Sequence, residues 1–500
     1  MDRRPVRQGE LLFMGTTRTE KPLFSPVPPV SCRRARLSVL VASVAALIGA
    51  FALPQSVPAQ VPDTTRRDST FDIRSLWRDR GNRTVLTITS GKAYNRVEGL
   101  PIMIGPTFRG EIGQAAVSVG VLGIIRTAHS AHWDSENLGH RVTAEVRSGG
   151  QRGYSVGGRS FDIVAPIERW QLPEPDAGLA AFLFKRDYLD YFGRHGANLF
   201  ATAFRGDYAT LRVSYGNERW SSRRARDVPA LFRGSRGWRI NPPVDDGTMH
   251  IFETRFALDS RNAELNPWAG WYVDARYEYG AGNLTSPAVV TPATNPQLRG
   301  DEPPGPVQAS YGRVFFDVRK YNRISPVTQL NARLVIGGWL HGDPLPLERR
   351  FSVGGVGTIP GFDFRRTGIG TDVGQCATEG NVLPGKPAMC ERVALAQLEY
   401  RRELHSDLVD MFNRNGIRVR GSVFTVRPSA VAFVDAGRGW LVGERQGTLR
   451  YPSGSLPPFD TYRADAGVGL DLGVAGVYVA KAVSSTKEPA NFFVRIHNRF

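Results

Sequence analysis

His132 and Asp134 lie close together in a polar stretch, and an Asp-His pair of that kind can activate water. A short polar loop also produces such pairs by chance, so the pair alone assigns no reaction. Cys376 and Cys390 are two of the chain's 3 cysteines. Without a neighbouring His pair they make a poor zinc set, and in an exported chain a disulfide between them is the better reading. The third candidate is RRFSVGGVGTIPGFDFRR, residues 349–366. Gly354, Gly355, Gly357 and Gly361 allow positive φ and close backbone approach, while Pro360 fixes its own φ and keeps Ile359 out of a helix. Such a stretch is either a plain Gly-rich surface turn or a loop folded back onto something. Its glycines lack the strand, Lys and helix context of a phosphate loop, and no nucleophile elbow or metal constellation is present. No catalytic residue, metal site or cofactor is assigned, and the chain is not read as an enzyme.

The elements around these residues are strands. From Trp271 to Tyr279, Trp271, Val273, Ala275, Tyr277 and Tyr279 fall on one face and Tyr272, Asp274, Arg276 and Glu278 on the other. The same split separates Leu211, Val213 and Tyr215 from Arg212 and Ser214, and Ala396, Leu398 and Tyr400 from Gln397, Glu399 and Arg401. A soluble sandwich would alternate in the same way, so the links decide. Tight turns at 111–113, 149–153, 206–207 and 473–475 largely alternate with long links at 126–139, 164–195, 219–247, 281–307, 342–390 and 439–461. That is the arrangement of an outer-membrane barrel with short periplasmic turns and long outer loops, and it predicts roughly sixteen strands. The expected fold is all-β, a transmembrane antiparallel β-barrel over 83–500. The 402–427 segment interrupts the alternation of link lengths. Asp176 to Gly193 reads as a helix with Asp176 as N-cap, placed either at the membrane interface or in the lumen.

The two ends of the chain carry further signals. Arg33, Arg34 and Arg36 precede an apolar run from Leu37 to Leu53 and then Val57-Pro58-Ala59, which reads as a signal peptide over 1–59 cleaved after Ala59; an uncleaved anchor is the competing reading. Residues 60–82 form a polar tether. At the other end Phe492, Val494, Ile496 and Phe500 share one face, so the chain is expected to stop inside a strand with a lipid-facing Phe500. The net charge of +17 is spread over strand faces rather than clustered, which argues against a nucleic-acid partner.

Several ordered stretches resemble the BamA/TamA-type bacterial surface antigen superfamily of outer-membrane assembly and translocation barrels. Asp259 and Arg261, followed by Pro267 and Gly270, are similar to that family's strand-to-strand turn signature. GRVFFDVRKYNRISP and then GGWLHGDPLPLERRFSVGG resemble the approach to its lumen-inserted loop, with Gly354, Gly355, Pro360, Gly361 and Phe362 as the loop motif. LAQLEYRREL and AVAFVDAGRGW are similar to the next elements, and Phe500 to the terminal insertion signal. The similarity covers about 245–500 well and YNRVEGLPIMIGP at 94–106 more loosely.

The resemblance implies that the loop folds into the lumen and is held by acids on the two following strands, here Glu399 and Asp435. The family's loop Arg is replaced by Pro360-Gly361-Phe362, so Arg365 or Arg366 is expected to reach the acids instead. The tether at 60–82 is too short for a POTRA module. The implied protein is therefore a barrel-only member, integral to the outer membrane and its lipid, acting in protein or lipid insertion or translocation. Its implied partners are a client or a separate periplasmic protein. The alternative is a passive porin-like channel, which inward arginines such as Arg212, Arg276, Arg319 and Arg333 would bias toward anions. Mass spectrometry of outer-membrane fractions is expected to find a mature N-terminus at Gln60; residues 1–59 intact on the membrane-embedded form would overturn the cleavage.

Overall fold

The computed structural model describes residues 83–89, 93–128, 136–232, 237–264, 266–285, 307–362, 390–404, 417–419, 422–424, 428–442, 450–473, 475–496 and 499–500. The expected signal and tether, His132, Asp134, Arg365, Arg366 and Cys376 lie outside the described residues.

Period two becomes strands along the whole described chain: β1 (Arg83–Thr89), β2 (Ile102–Ile112), β3 (Ala115–Ile125), β4 (Leu138–Gly149), β5 (Arg152–Pro166), β6 (Tyr191–Arg205), β7 (Ala209–Ser222), β8 (Asp246–Asp259), β9 (Gly270–Thr285) and β10 (Val307–Ser325). These are followed by β11 (Thr328–Gly342), β12 (Arg392–Glu403), β13 (Ile417–Val419), β14 (Ser422–Phe424), β15 (Ser429–Val442), β16 (Arg450–Tyr451), β17 (Arg463–Asp471), β18 (Gly476–Ala482) and β19 (Asn491–Arg495). Each of β1 to β11 pairs antiparallel with the next, and the ladder continues from β12 through β15, β17, β18 and β19. This makes a 16-strand antiparallel sheet, to which β16 adds two residues in parallel. Among the described residues no ladder joins β1 to β19.

The faces are those that alternation predicts. On β12, Gln397, Glu399 and Arg401 are buried on the inside while Leu398 and Tyr400 are exposed; on β9, Asp274 and Glu278 are buried and Trp271 and Tyr279 exposed. One apolar cluster joins Phe192 on β6, Trp220 on β7, Met249 on β8, Phe315 on β10, Leu395 on β12 and Ala482 on β18 to Leu345, Phe351, Ile359 and Phe362 of the β11–β12 link. Strands far apart in the sheet thus surround one loop, and the barrel core is that loop. A sheet with polar inner residues cannot fill its own lumen; a chain segment does so here.

Two expectations need correction. The helix, α1 (Glu174–Phe184), is shorter than 176–193, because Lys185 turns left-handed at φ 58 and closes it with hydrogen bonds to Ala180 and Ala181. Asp176 does not cap it: its Oδ1 accepts the Ile496 N–H at 2.6 Å, and its Oδ2 lies 3.6 Å from Arg495. The helix therefore packs against the last strand's end inside the fold. Within the 402–427 segment, which interrupts the alternation of link lengths, β13 and β14 pair as a separate hairpin. Finally, Phe500 does not continue the outward row of Phe492 and Val494. β19 ends at Arg495, and Phe500 is buried with its carbonyl O accepting the Tyr321 hydroxyl at 2.5 Å. Arg499, which pairs with Asp435 in the interior, draws the terminus inward against the alternation.

The β8–β9 turn shows why its signature residues are needed. Arg261 clasps Asp259 through Nε at 2.8 Å and Nη2 at 2.7 Å, and Asn262 Oδ1 accepts the Trp268 and Ala269 N–H groups at 2.9 Å each. Gly270 has φ +116, and a Cβ there would lie 2.3 Å from the Ser260 carbonyl O. Asn266 Nδ2 donates to the Gly473 carbonyl at 3.1 Å, tying this turn to the β17–β18 turn. Gly270→Ala is expected to cost about 1–3 kcal/mol, read as a lower midpoint of heat-modifiable gel mobility; an unchanged midpoint would show that the turn relaxes freely.

Candidate functional site

Every residue from Leu345 to Phe362 except Val356 is buried. A loop held in a lumen must have its polar backbone groups satisfied there, and inner-face side chains supply the partners. At its start the Leu347 N–H donates to Asp245 Oδ2 at 2.8 Å. Arg349 Nε donates to Glu278 Oε1 at 2.7 Å, while its guanidinium lies 4.4 Å over the Trp220 ring. Glu278 also accepts the Tyr311 hydroxyl at 2.7 Å and pairs with Arg313 at 3.0 Å, so one carboxylate gathers β9, β10 and the loop. Phe351 exchanges backbone hydrogen bonds with Cys390 and stacks on Phe315. Cys390 is buried and disulfide-bonded. Glu168, in the β5–β6 link, accepts both the Ser352 N–H and its hydroxyl at 2.7 Å.

The loop motif then folds on itself. Gly354 and Gly355 adopt φ 130 and 93, and the Gly355 N–H is shared between the Ile359 and Phe362 carbonyls at 3.1 and 2.9 Å. Gly354 N–H meets Thr358 Oγ1 at 2.8 Å. At the tip Gln397 Nε2 donates to the Thr358 carbonyl at 2.8 Å, Asn491 Nδ2 to the Pro360 carbonyl at 3.0 Å, and the Gly361 N–H to Asp465 Oδ2. A Cβ on Gly361 would sit 2.6 Å from Asp465 Cβ and 2.7 Å from the Ala482 nitrogen, so only glycine fits. Phe362 lies beneath Arg463, with Cζ 4.8 Å from the ring centre.

The acids are served differently from expectation. Glu399 Oε1 pairs with Arg401 Nε at 2.8 Å and accepts Asn331 Nδ2 at 3.3 Å, without touching the loop among the described residues. Asp435 accepts Arg499 Nη2 and, at 3.3 Å, Gln397 Nε2, so it reaches the loop through Gln397. Asp465 stands directly opposite Asp435 in the β15–β17 register, and it is Asp465 that holds the tip. The sequence reading missed Asp465, and it placed Gln397 and Arg499 on the inner face without assigning their contacts to the loop and to Asp435. Alternation in RADAGVGL could have placed Asp465 inward; no local pattern marks Glu168 in its long link.

Other inward arginines are neutralised in place. Asp274 is shared by Arg255 and Arg276, Asp317 by Arg319 and Arg333, and Asp471 binds Arg401. The resulting interior is a loop-filled lumen crossed by ion pairs, unlike an open cationic channel.

The family model described as the Omp85 superfamily domain matches residues 192–475, which contain the turn signature, the loop and both acids. The chain belongs to the Omp85 superfamily. This is a family of outer-membrane insertion and translocation barrels. Among solved structures the chain is similar to BamA from Haemophilus ducreyi lacking POTRA domains 1–3, with 13% identity over 92% of this chain and 78% of that one and a TM-score of 0.45. It is also similar to CdiB from Acinetobacter baumannii (13% identity, 83% of this chain, 59% of that one, TM-score 0.31) and CdiB from Escherichia coli (13%, 84%, 62%, 0.32). No curated protein matches the chain. Family membership rests on the domain match, which extends from β6 to the β17–β18 turn.

Within this Omp85 barrel Arg499 pairs with Asp435, which stands opposite the tip-holding Asp465 in the β15–β17 register. Removing one partner of a buried pair costs about 3–5 kcal/mol. Asp435→Asn and Arg499→Ala are each expected to lower the heat-modifiability midpoint, and the double variant to fall short of their sum. Additivity for Asp435 with Arg499 would overturn the pairing.

Proposed function

We propose that the chain acts in the outer membrane to insert or translocate protein or lipid, engaging a client or a separate periplasmic partner. The observation that carries this reading is the combination of a lumen filled by the 345–362 loop with a first and a last strand that share no ladder among the described residues. A filled lumen is a poor conduit for solutes. Strand edges left without a ladder present N–H and C=O groups to which another extended segment can add. Phe492 and Val494 on β19 and Leu86 and Ile88 on β1 are exposed apolar side chains on either side of that seam. A polypeptide or acyl chain entering there would meet lipid on one side and the loop on the other. The passive porin reading is not favoured, because Asp274, Glu278, Asp317 and Asp471 pair with Arg276, Arg313, Arg319, Arg333 and Arg401, arginines that would have selected anions.

Protein reconstituted in planar bilayers is expected to give a nearly closed or flickering trace, whereas a steady large conductance would favour the channel. Cysteines placed at Leu86 and Phe492 and bridged by a bifunctional thiol reagent should abolish assisted insertion of an unfolded barrel client into proteoliposomes. The bridged protein inserting clients at the wild-type rate would overturn the seam as the working surface.

A further inference from the structure

A cavity of about 370 Å³ opens among the outer links, at the end of the sheet opposite the short turns. Its polar lining includes Arg126, Arg223, Arg224 and Arg226 with Glu136 and Asn137. Two of the four guanidiniums are already matched. Arg126 lies 3.2 Å from Glu98 and 3.0 Å from Asp162, and Arg226 pairs with Glu136. The other two are not: Arg223 and Arg224 make no ion pair among the described residues. Arg223 is held rather than free in solvent. Its Nε is shut off from solvent without a hydrogen-bond partner, and its guanidinium lies on the Gly193 backbone, where a Cβ would come within 2.5 Å of Nε and 2.9 Å of Nη2. The preceding residue, Ser222, is fixed by Asp246, which accepts both its N–H at 2.6 Å and its hydroxyl at 2.8 Å, so the base of the cavity is anchored where Arg223 leaves β7.

Burial, and next the charge of Arg126, lowers the Arg223 guanidinium from its ordinary value, with Asp162, Glu136 and Glu98 offsetting part of that cost. A partly buried cation that makes no direct ion pair among the described residues is further relieved by a bound anion. Guanidinium forks match phosphate oxygens two at a time, and they do so better than a point charge. The volume exceeds what a bare phosphate needs and falls in the range of small-molecule sites.

We infer that this cavity binds a phosphate group of a small ligand, with Arg223 and Arg224 holding it. The phosphate comes either on the headgroup of an outer-leaflet glycolipid or on a soluble compound. The site depends on the geometry of the outer links and is independent of the insertion role, so failure of either leaves the other standing.

The test uses the full chain in detergent micelles, with its fold checked by heat-modifiable mobility. Glucosamine 1-phosphate is titrated calorimetrically, with glucosamine as the control, and lipid A adducts are read by native mass spectrometry. Wild type is expected to bind the phosphorylated sugar and not glucosamine. Arg223→Ala with Arg224→Ala is expected to weaken binding about tenfold or more, as loss of charge-assisted bonds implies. Arg223→Lys should recover part of it. Lipid A adducts lost in the double variant assign the glycolipid source; binding of the soluble sugar without adducts assigns the soluble one. If the double variant does not fold, Arg224→Glu, at an exposed position, carries the same comparison. Absence of both binding and adducts in wild type, equal binding of glucosamine, or unchanged binding in a folded variant would each overturn the site.

Discussion

A peptide segment placed inside a barrel loses water as a hydrogen-bonding partner, and the lumen must replace it group by group. That constraint organises this molecule. Glu168 takes the Ser352 N–H and hydroxyl, Gln397 reaches the Thr358 carbonyl, Asn491 the Pro360 carbonyl, and Asp465 the Gly361 N–H. The suppliers come from the β5–β6 link, β12, β19 and β17. The loop can therefore sit in one place only when those elements are themselves in register, and its docking reports the state of most of the sheet.

Charge follows from the same burial. The chain has many more bases than acids, and several interior acids each hold two of them. Glu278 gathers Arg313 and Arg349, Asp274 gathers Arg255 and Arg276, and Asp317 gathers Arg319 and Arg333. One carboxylate between two guanidiniums keeps both cations in a poorly hydrated space and fixes the neighbouring strands relative to each other. The outer links use the same device. Arg96, fully buried, binds Asp190 at 2.6 Å, Asp187 at 3.0 Å and Asn241 at 3.1 Å, fastening the β1–β2, β5–β6 and β7–β8 links together. These pairs specify arrangement more than they add stability, since desolvation consumes much of their attraction.

The inward terminus links the two themes. Arg499 pairs with Asp435 and Phe500 O accepts from Tyr321, while Asp176 of α1 accepts the Ile496 N–H. The end of the last strand is thus tied to the lumen and to α1.

Much of this could be read from alternation. A side-chain period of two assigns a face regardless of partners, so Glu399 inward and Tyr400 outward, the roughly sixteen strands and the alternation of long and short links follow from local order. The glycines of 354–361 and the Asp259, Arg261, Pro267, Gly270 turn are legible too, because backbone geometry restricts which residues can stand there. Period says nothing, however, about which inward side chains meet across the lumen. Ser352 and Glu168 are 184 residues apart, and Asp435 and Arg499 64 apart. Whether Arg365, Arg366 or the terminus would serve the acids depended on depth and direction after the last ladder bond, where the strand rule no longer constrains the chain. Phe500 was assigned outward by extending that rule past Arg495; buried charge pairing, a tertiary force, turned it inward.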